Sequence, residues 1–225
     1  VTDLTRTLGP EHPSTIKARK NLANAYICAK QYADAIATHN DIVTDLTHAF
    51  GPEDPNTIKA RNNLANAYKC AKQYADAITV LKILIVDLMH VLGPEHPSTI
   101  KARNNLANAY KCAKQYADAI ATHNDIVTDL TGTLGPEHPS TIKARNNLAN
   151  AYKCAKQYAD AIAVLKILIV DLAHVLGPEH PSTIKARNSL AYAYNCAKQY
   201  GDAIATHNEI VTDLTRHLGP EHTNT

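Results

Sequence analysis

A Gly-Pro pair that returns every 42 residues constrains the fold of this 225-residue chain more than any other feature of its sequence. A fixed period of this length is typical of solenoids, in which each repeat buries its apolar face against its neighbours. We therefore interpret 1–225 as a single array, with the end of a preceding second helix at 1–8 and the start of a further linker at 219–225. The five repeats span 9–50, 51–92, 93–134, 135–176 and 177–218.

Each repeat carries two helical patterns, and no stretch alternates with the period of two that indicates a strand. In repeat 3 the first helix is predicted from about Pro97 to Ala113, because proline is favoured at the first helical position. The second is predicted from Tyr116 to about Thr133, followed by a glycine and a proline that end it. The second-helix residues predicted to face inward are Ala119, Ile120, His123, Ile126, Leu130 and Leu134 in repeat 3, and Ala77, Leu81, Leu84, Leu88 and Leu92 in repeat 2.

The small and aromatic residues of each repeat resemble those of the tetratricopeptide repeat. In and just after repeat 3, the matching positions are Leu106, Ala107, Tyr110, Tyr116, Ala119, Gly135, Pro136 and Pro139. The repeat length and the Leu-Gly-Pro-Glu-His-Pro linker are similar to those of the long repeats in kinesin light chains and fungal immune-type receptors. The resemblance covers the whole chain and implies an all-α fold, a right-handed α-solenoid of five antiparallel helix pairs. It also implies a scaffold that binds peptides or partner proteins and has no enzymatic activity.

A polar stripe recurs on the outer face of the first helices of repeats 2 to 4. The resemblance implies that first helices line the concave side of the array, so this stripe would face a peptide-binding groove. Asparagine amides can donate and accept hydrogen bonds with a peptide backbone, and lysines attract carboxylates, so we expect a peptide of acidic character. A solvated helix face is the alternative interpretation. The stripe comprises Lys59, Asn62, Asn63, Asn66, Lys69, Lys101, Asn104, Asn105, Asn108, Lys111, Lys143, Asn146, Asn147, Asn150 and Lys153.

The second helices alternate between two sequences along the array. On their predicted outer face, repeats 2 and 4 carry Ile83 with Val86 and Ile167 with Val170, where the odd repeats carry an acidic residue and a threonine. One interpretation is that these are ordinary apolar residues exposed on the surface. Another is that adjacent repeats bury them. A third is a pair of apolar stripes, roughly 20 Å apart at about 10 Å per helix. Such stripes would mediate a homotypic contact that makes a dimer.

The composition argues against several other classes of protein. The formal net charge is only +2, whereas a nucleic-acid-binding domain carries a basic excess. The longest apolar run, 80–92, is interrupted by Lys82 and Asp87 and is shorter than the roughly 20 residues of a membrane span. The histidines and cysteines lack the spacing of a zinc site, so we expect no metal, no cofactor, no nucleic acid and no membrane. Linker histidines are expected to cap helices, the second-helix histidines of odd repeats to fill the core, and the cysteines to pack between helices.

Cysteine usage and repetition bear on location and activity. An odd number of thiols on separate helices predicts a reducing, cytoplasmic compartment. A catalytic site is a single arrangement of unlike groups, whereas every candidate group here occurs in several copies, so we expect no enzyme. The segments 93–121 and 135–163 are identical, which indicates recent duplication or design. The open alternatives are a binding module, a self-associating array, and a regulatory arm of the longer protein of which this chain is expected to be part.

Overall fold

The computed structural model describes residues 2–218, with side chains from residue 4 to 216, and within that range it contains helices and turns but no strand. A short helix, α1 (Thr2–Leu8), comes first. The first helices of the repeats are α2 (Pro13–Cys28), α4 (Pro55–Cys70), α6 (Pro97–Cys112), α8 (Pro139–Cys154) and α10 (Pro181–Cys196). The second helices are α3 (Tyr32–Phe50), α5 (Tyr74–Leu92), α7 (Tyr116–Leu134), α9 (Tyr158–Leu176) and α11 (Tyr200–Leu218). The linker predicted at 219–225 lies outside the described residues.

The helices form two compact units, one up to Gln115 and the other from Tyr116 onward. The boundary falls inside repeat 3, so that α6 belongs to the first unit and α7 to the second. In the first unit, α2 packs on α3, α3 on α4, α4 on α5 and α5 on α6. In the second unit the same succession runs from α7 to α11. Packing between neighbours in sequence is what a solenoid requires, and the predicted all-α fold of consecutive helix pairs is confirmed.

A side chain in the linker caps each first helix, immediately before its proline. In repeat 3 the amide of Ser98 donates a hydrogen bond to Nδ1 of His96 at 3.1 Å. In repeat 2 Asp54 takes the place of the histidine and accepts from the amide of Asn56 at 2.8 Å. These bonds satisfy amides that no helical carbonyl can reach. The capping role predicted for the linker histidines is confirmed at His12, His96, His138 and His180, while His222 lies outside the described residues.

Two kinds of left-handed turn end the helices. The second helices end at glycines such as Gly93, whose φ of 84° is strained for any residue with a side chain. The first helices end at lysines such as Lys30, which has a φ of 60° at a position where glycine is usual. The amide of Gln31 donates to the carbonyl of Tyr26 at 2.8 Å and closes this turn. The same lysine turn recurs at Lys72, Lys114, Lys156 and Lys198.

The core is built from the inward faces of both helices of each repeat, and its largest fully buried apolar side chains lie on the second helices. Leu81, Leu84 and Leu88 are at most 1% exposed, as predicted. The same prediction is wrong for Leu92 and Leu134, which are 39% and 44% exposed. Second helices have 19 residues and first helices 16, so the last turn of the longer helix leads into the linker without a helix to cover it.

Partly buried ion pairs join the first and second helices within repeats, among them repeats 1, 2, 4 and 5. Nη1 of Arg145, a residue only 9% exposed, pairs with Oδ2 of Asp171 and also donates to the carbonyl of Pro136 at 3.1 Å. Burial raises the pKa of Asp171, although the Arg145 guanidinium acts to lower it and Glu137 adds to the rise. The equivalent pairs are Arg19 with Asp45, Arg61 with Asp87, and Arg187 with Asp213.

A buried histidine occupies the core position that holds leucine in even repeats. His39 is 2% exposed, and Leu81 at the equivalent position is 0% exposed. Nδ1 of His39 has no hydrogen-bond partner within the described part of the chain. Burial lowers the pKa of His39, and the Lys20 ammonium lowers it further. The predicted core role is confirmed for His39 and His123 but is wrong for His207, which is exposed.

Candidate functional site

The polar stripe predicted from the sequence lies on the first helices α4, α6 and α8, and none of its fifteen residues is buried. We refer to these residues as the first-helix surface. Nine of them are half-buried. The fully exposed members are Lys59, Asn66, Lys101, Lys143, Asn146 and Asn150.

Several amides of the first-helix surface make hydrogen bonds inside the protein, including that of Asn104, which donates to the carbonyl of Ile100 at 2.8 Å. Nδ2 of Asn105 on α6 donates to Oδ1 of Asn62 on α4 at 3.0 Å. Nδ2 of Asn62 donates in turn to the carbonyl of Ile58 at 3.1 Å. Asparagine is a poor helix former, and here its presence has a structural explanation, because it links two adjacent helices. One hydrogen of Nδ2 and one lone pair of Oδ1 of Asn62 are therefore already engaged, and its capacity to bind a ligand is reduced.

A cavity of about 540 Å³ lies in the first unit among α2, α3 and α4. Its apolar floor is made by Ile16, Leu46 and Phe50, and Lys59 and Asn63 of the first-helix surface stand at its rim. Its other lining residues are Glu11, Pro13, Lys17, Lys20, Asn21, Asn24 and Asn56. We refer to this space as cavity I. Its volume is in the range of pockets that hold small ligands or single side chains.

A second cavity of about 390 Å³ lies in the second unit among α8, α9 and α10, and we refer to it as cavity II. It repeats cavity I 126 residues later in the sequence. Its floor consists of Ile142, Leu172 and Leu176, which are equivalent to the three floor residues of cavity I. Lys143 and Lys185 are equivalent to Lys17 and Lys59 of cavity I. Lys143 and Asn146 are the members of the first-helix surface that line cavity II, and the remaining eleven members line neither cavity. The remaining lining residues are Pro139, Leu168, Val175, Ser182 and Ala186.

Lys20 distinguishes cavity I electrostatically. Burial lowers the pKa of Lys20, and the nearby Lys59 ammonium lowers it further. Three lysines line cavity I with a single carboxylate, that of Glu11. Cavity II has two lysines and no acidic lining residue. Both cavities therefore carry an excess of positive charge, which favours an anionic ligand.

Sequence reasoning missed several residues of these sites. Phe50 and Lys20 were not predicted as site residues, although Phe50 is the single phenylalanine of the chain. Tyr192 on α10 lines neither cavity, but it is 57% exposed, and the ammonium of Lys153, a member of the first-helix surface, lies 5.8 Å from the centre of its ring. Their departure from the other repeats was the available signal. The contacts of these residues depend on neighbouring helices, whose positions cannot be read from the sequence of one repeat.

The apolar stripes of the even repeats are exposed in both units. Ile83 and Val86 on α5 are 54% and 67% exposed, and Ile167 and Val170 on α9 are 53% and 68% exposed. The interpretation that adjacent repeats bury these positions is therefore wrong. Branched apolar residues stand in water where the odd repeats place charged and hydroxyl side chains.

Metal-binding and membrane-spanning features are absent from the part of the chain that the structure describes. No group of three or more His, Cys, Asp or Glu side chains there is placed to hold a metal ion. No helix in that part is long and apolar enough to cross a membrane. The five cysteines are free thiols. The packing role predicted for them is wrong for Cys28, Cys112 and Cys154, which are exposed at the ends of their helices.

The helix pairs have a constant length, pack on their neighbours in sequence and form cavities that recur along the chain. These features define a helical-repeat protein of the solenoid class. A sequence profile of the tetratricopeptide repeat matches 57–98, 99–140 and 141–182, which is more than half of the chain. The chain belongs to the tetratricopeptide repeat family. No curated protein sequence gives a significant match.

Solved structures agree with this assignment. Repeats from Podosopora anserina, provisionally described as a kinesin light chain with nearly identical TPR-like repeats, are 27% identical with a TM-score of 0.75, over 92% of this chain and 98% of that one. BtubC (BKLC) from P. vanneervenii is 15% identical with a TM-score of 0.68, over 99% and 90%. Apo RapI is 12% identical with a TM-score of 0.71, over 93% and 56%. The last two structures show the fold alone. The match to the Podosopora anserina repeats, together with the family profile, confirms the predicted similarity to long kinesin-light-chain-like repeats. Repeats of this family form scaffolds that typically mediate protein–protein interaction.

Proposed function

We propose that this protein is a non-enzymatic scaffold that binds acidic peptide segments of partner proteins at its first-helix surface. The observation that carries the proposal is the recurrence of one cavity in both units, with apolar and lysine lining residues at equivalent positions. An apolar floor would take a bulky side chain, and the lysines would take carboxylates beside it. Peptides with both features are the ligands that such a surface discriminates best.

Reversing one rim charge in each cavity should weaken the binding of an acidic peptide about tenfold or more, because attraction becomes repulsion at both sites. The variant is Lys59→Glu with Lys143→Glu. The probe is a fluorescein-labelled peptide of glutamates around a central leucine, and its dissociation constant is measured by fluorescence anisotropy.

The matched control is Lys72→Glu with Lys156→Glu, which reverses the same number of charges at exposed turn residues outside both cavities. We expect this control to bind the peptide like the original protein. A peptide in which lysines replace the glutamates should bind weakly to all three proteins. Equal loss of affinity in the two double variants, or equal affinity for the acidic and basic peptides, would contradict the proposal.

A second candidate function is self-association through the apolar stripes of the even repeats. Exposure of Ile83, Val86, Ile167 and Val170 supports it, since clustered exposed apolar residues often mark a contact surface. The same helix positions hold acidic residues and threonines in repeats 1, 3 and 5, so folding does not require apolar residues there. The proposed partner of each stripe is a second copy of the chain.

Giving the even repeats the outer residues of the odd repeats should abolish any dimer and leave helicity unchanged. The variant combines Ile83→Asp, Val86→Thr, Ile167→Asp and Val170→Thr, and each new residue already occurs at the equivalent helix position. Sedimentation equilibrium measures the association, and circular dichroism measures the helix content. An unmodified protein that remains monomeric at high concentration would contradict this second candidate, as would a variant that associates equally well.

A further inference from the structure

Cavity I combines three residues that occur at their position in no other repeat. Lys20 stands where the other repeats have asparagine, Phe50 where they have leucine, and Asn56 where they have serine. All three line cavity I. In cavity II the equivalent residues are Asn146, Leu176 and Ser182. In an array of nearly identical repeats, this concentration of differences makes cavity I chemically distinct from its counterpart.

The charged side of cavity I has more positive charge than the protein neutralises. Lys17, Lys20 and Lys59 line the cavity, and none of them has an ion-pair partner among the described residues. Lys20 is half-buried and is close enough to Lys59 for their charges to repel. A group with two negative charges would relieve this repulsion, whereas a single carboxylate would do so only in part.

Cavity I also has an aromatic lining residue. Phe50 is 53% exposed at the end of α3, and it lines the cavity together with the buried residues Ile16 and Leu46. An exposed phenyl ring offers a face or an edge to another aromatic ring, and such pairs are more favourable than the burial of their area alone. Leu176 in cavity II offers no such partner.

We propose that cavity I binds the phosphotyrosine side chain of a partner peptide, with its phosphate at Lys20 and Lys59 and its ring against Phe50. The proposal rests on the proposed peptide-binding function, because the peptide would lie on the same first-helix surface. Cavity II, which has Asn146 and Leu176 at the corresponding positions, does not select the phosphorylated form.

Binding of three labelled peptides tests this proposal. All have glutamates around a central residue, which is tyrosine, phosphotyrosine or phosphoserine, and affinities are measured by fluorescence anisotropy. We expect the phosphotyrosine peptide to bind about tenfold more tightly than either of the others, because it alone supplies both the dianion and the ring. Lys20→Asn and Phe50→Leu should each bring its affinity close to that of the comparison peptides.

Both substitutions introduce the residue found at the same position of every other complete repeat, so both variants are expected to fold, and circular dichroism checks this. The reciprocal variant, Asn146→Lys with Leu176→Phe, should create a second site of the same preference. Equal affinity for the tyrosine and phosphotyrosine peptides would overturn this proposal while leaving the proposed function intact. So would a preference that survives Lys20→Asn, or phosphoserine binding as tight as phosphotyrosine. Absence of binding by all three peptides would contradict both the phosphotyrosine site and the wider proposal of acidic peptide binding.

Discussion

Replacing Arg145 by methionine should lower the free energy of unfolding by about 3–5 kcal/mol at pH 7, the cost of leaving a buried charge without its partner. Asp171 would then keep a largely buried carboxylate, and the carbonyl of Pro136 would lose a donor. The measurement is urea denaturation followed by circular dichroism.

The double variant Arg145→Met with Asp171→Leu should recover most of this loss. In the intact pair burial and the nearby Glu137 together raise the pKa of Asp171 more than Arg145 lowers it, so the ion pair does not fully offset the unfavourable surroundings of the carboxylate. Removing both charges from such a pair is often neutral or stabilising. A double variant as unstable as Arg145→Met alone would contradict this view of the pair.

The single variant should also depend on pH in a defined direction. The pKa of Asp171 lies above the ordinary value of 3.8 in the folded protein, so the unfolded state holds fewer protons on this group than the folded state at mildly acidic pH. Removing the Arg145 guanidinium, which lowers this pKa, should raise it further, so lowering the pH toward 4 favours folding of the variant more than folding of the original protein, and the cost of Arg145→Met should shrink. Arg19→Met is the matched control with a smaller expected cost at pH 7, because the side chain of Asp45 is 30% exposed and that of Asp171 only 13%.

Replacing His39 by leucine should raise the free energy of unfolding by about 1–3 kcal/mol at pH 7, because a buried nitrogen without a hydrogen bond is removed. Leu81 occupies the equivalent position with 0% exposure, so the backbone accepts leucine there. The reverse substitution, Leu81→His, should destabilise repeat 2 by a similar amount. Urea denaturation of the two variants and the original protein measures both effects.

The advantage of His39→Leu should grow as the solution becomes acidic. The pKa of His39 is lowered from 6.5 by burial and by Lys20. The stability that depends on His39 being neutral is therefore fully present above pH 6.5. That contribution is lost as the pH falls through the folded-state pKa, because the unfolded state binds the proton more readily. The two proteins should therefore differ more at pH 5 than at pH 7.5. A stability difference that is constant over this range would contradict the buried, neutral state of His39.

Local signals were enough to predict the helices of this protein. Pro97 at the start of a first helix and Gly135 after a second helix fix the ends of their segments through backbone geometry alone, and the helices end within about a residue of the predicted positions. The direction in which Ile83 and Val86 point also follows from helical periodicity. Such features depend on residues close together in the chain.

Features that depend on the length or position of another helix were not predictable. A helical wheel points Leu92 inward but does not reveal that the neighbouring helix is too short to cover it. The bond between Asn62 and Asn105 joins residues from different repeats, and the sequence offers a solvated stripe as an equally good interpretation. The meeting of Lys20 with Phe50 in one cavity likewise requires the packing of three helices.

The second helices of odd and even repeats differ both in a core residue and in a surface residue. Where His39 becomes Leu81 inside the core, Asp41 becomes Ile83 on the surface, and the whole pattern returns after 84 residues. The true structural period is therefore a pair of unlike hairpins. Loss or gain of a single hairpin by unequal recombination would set two hairpins of the same kind side by side, whereas loss or gain of two would keep the two kinds in alternation.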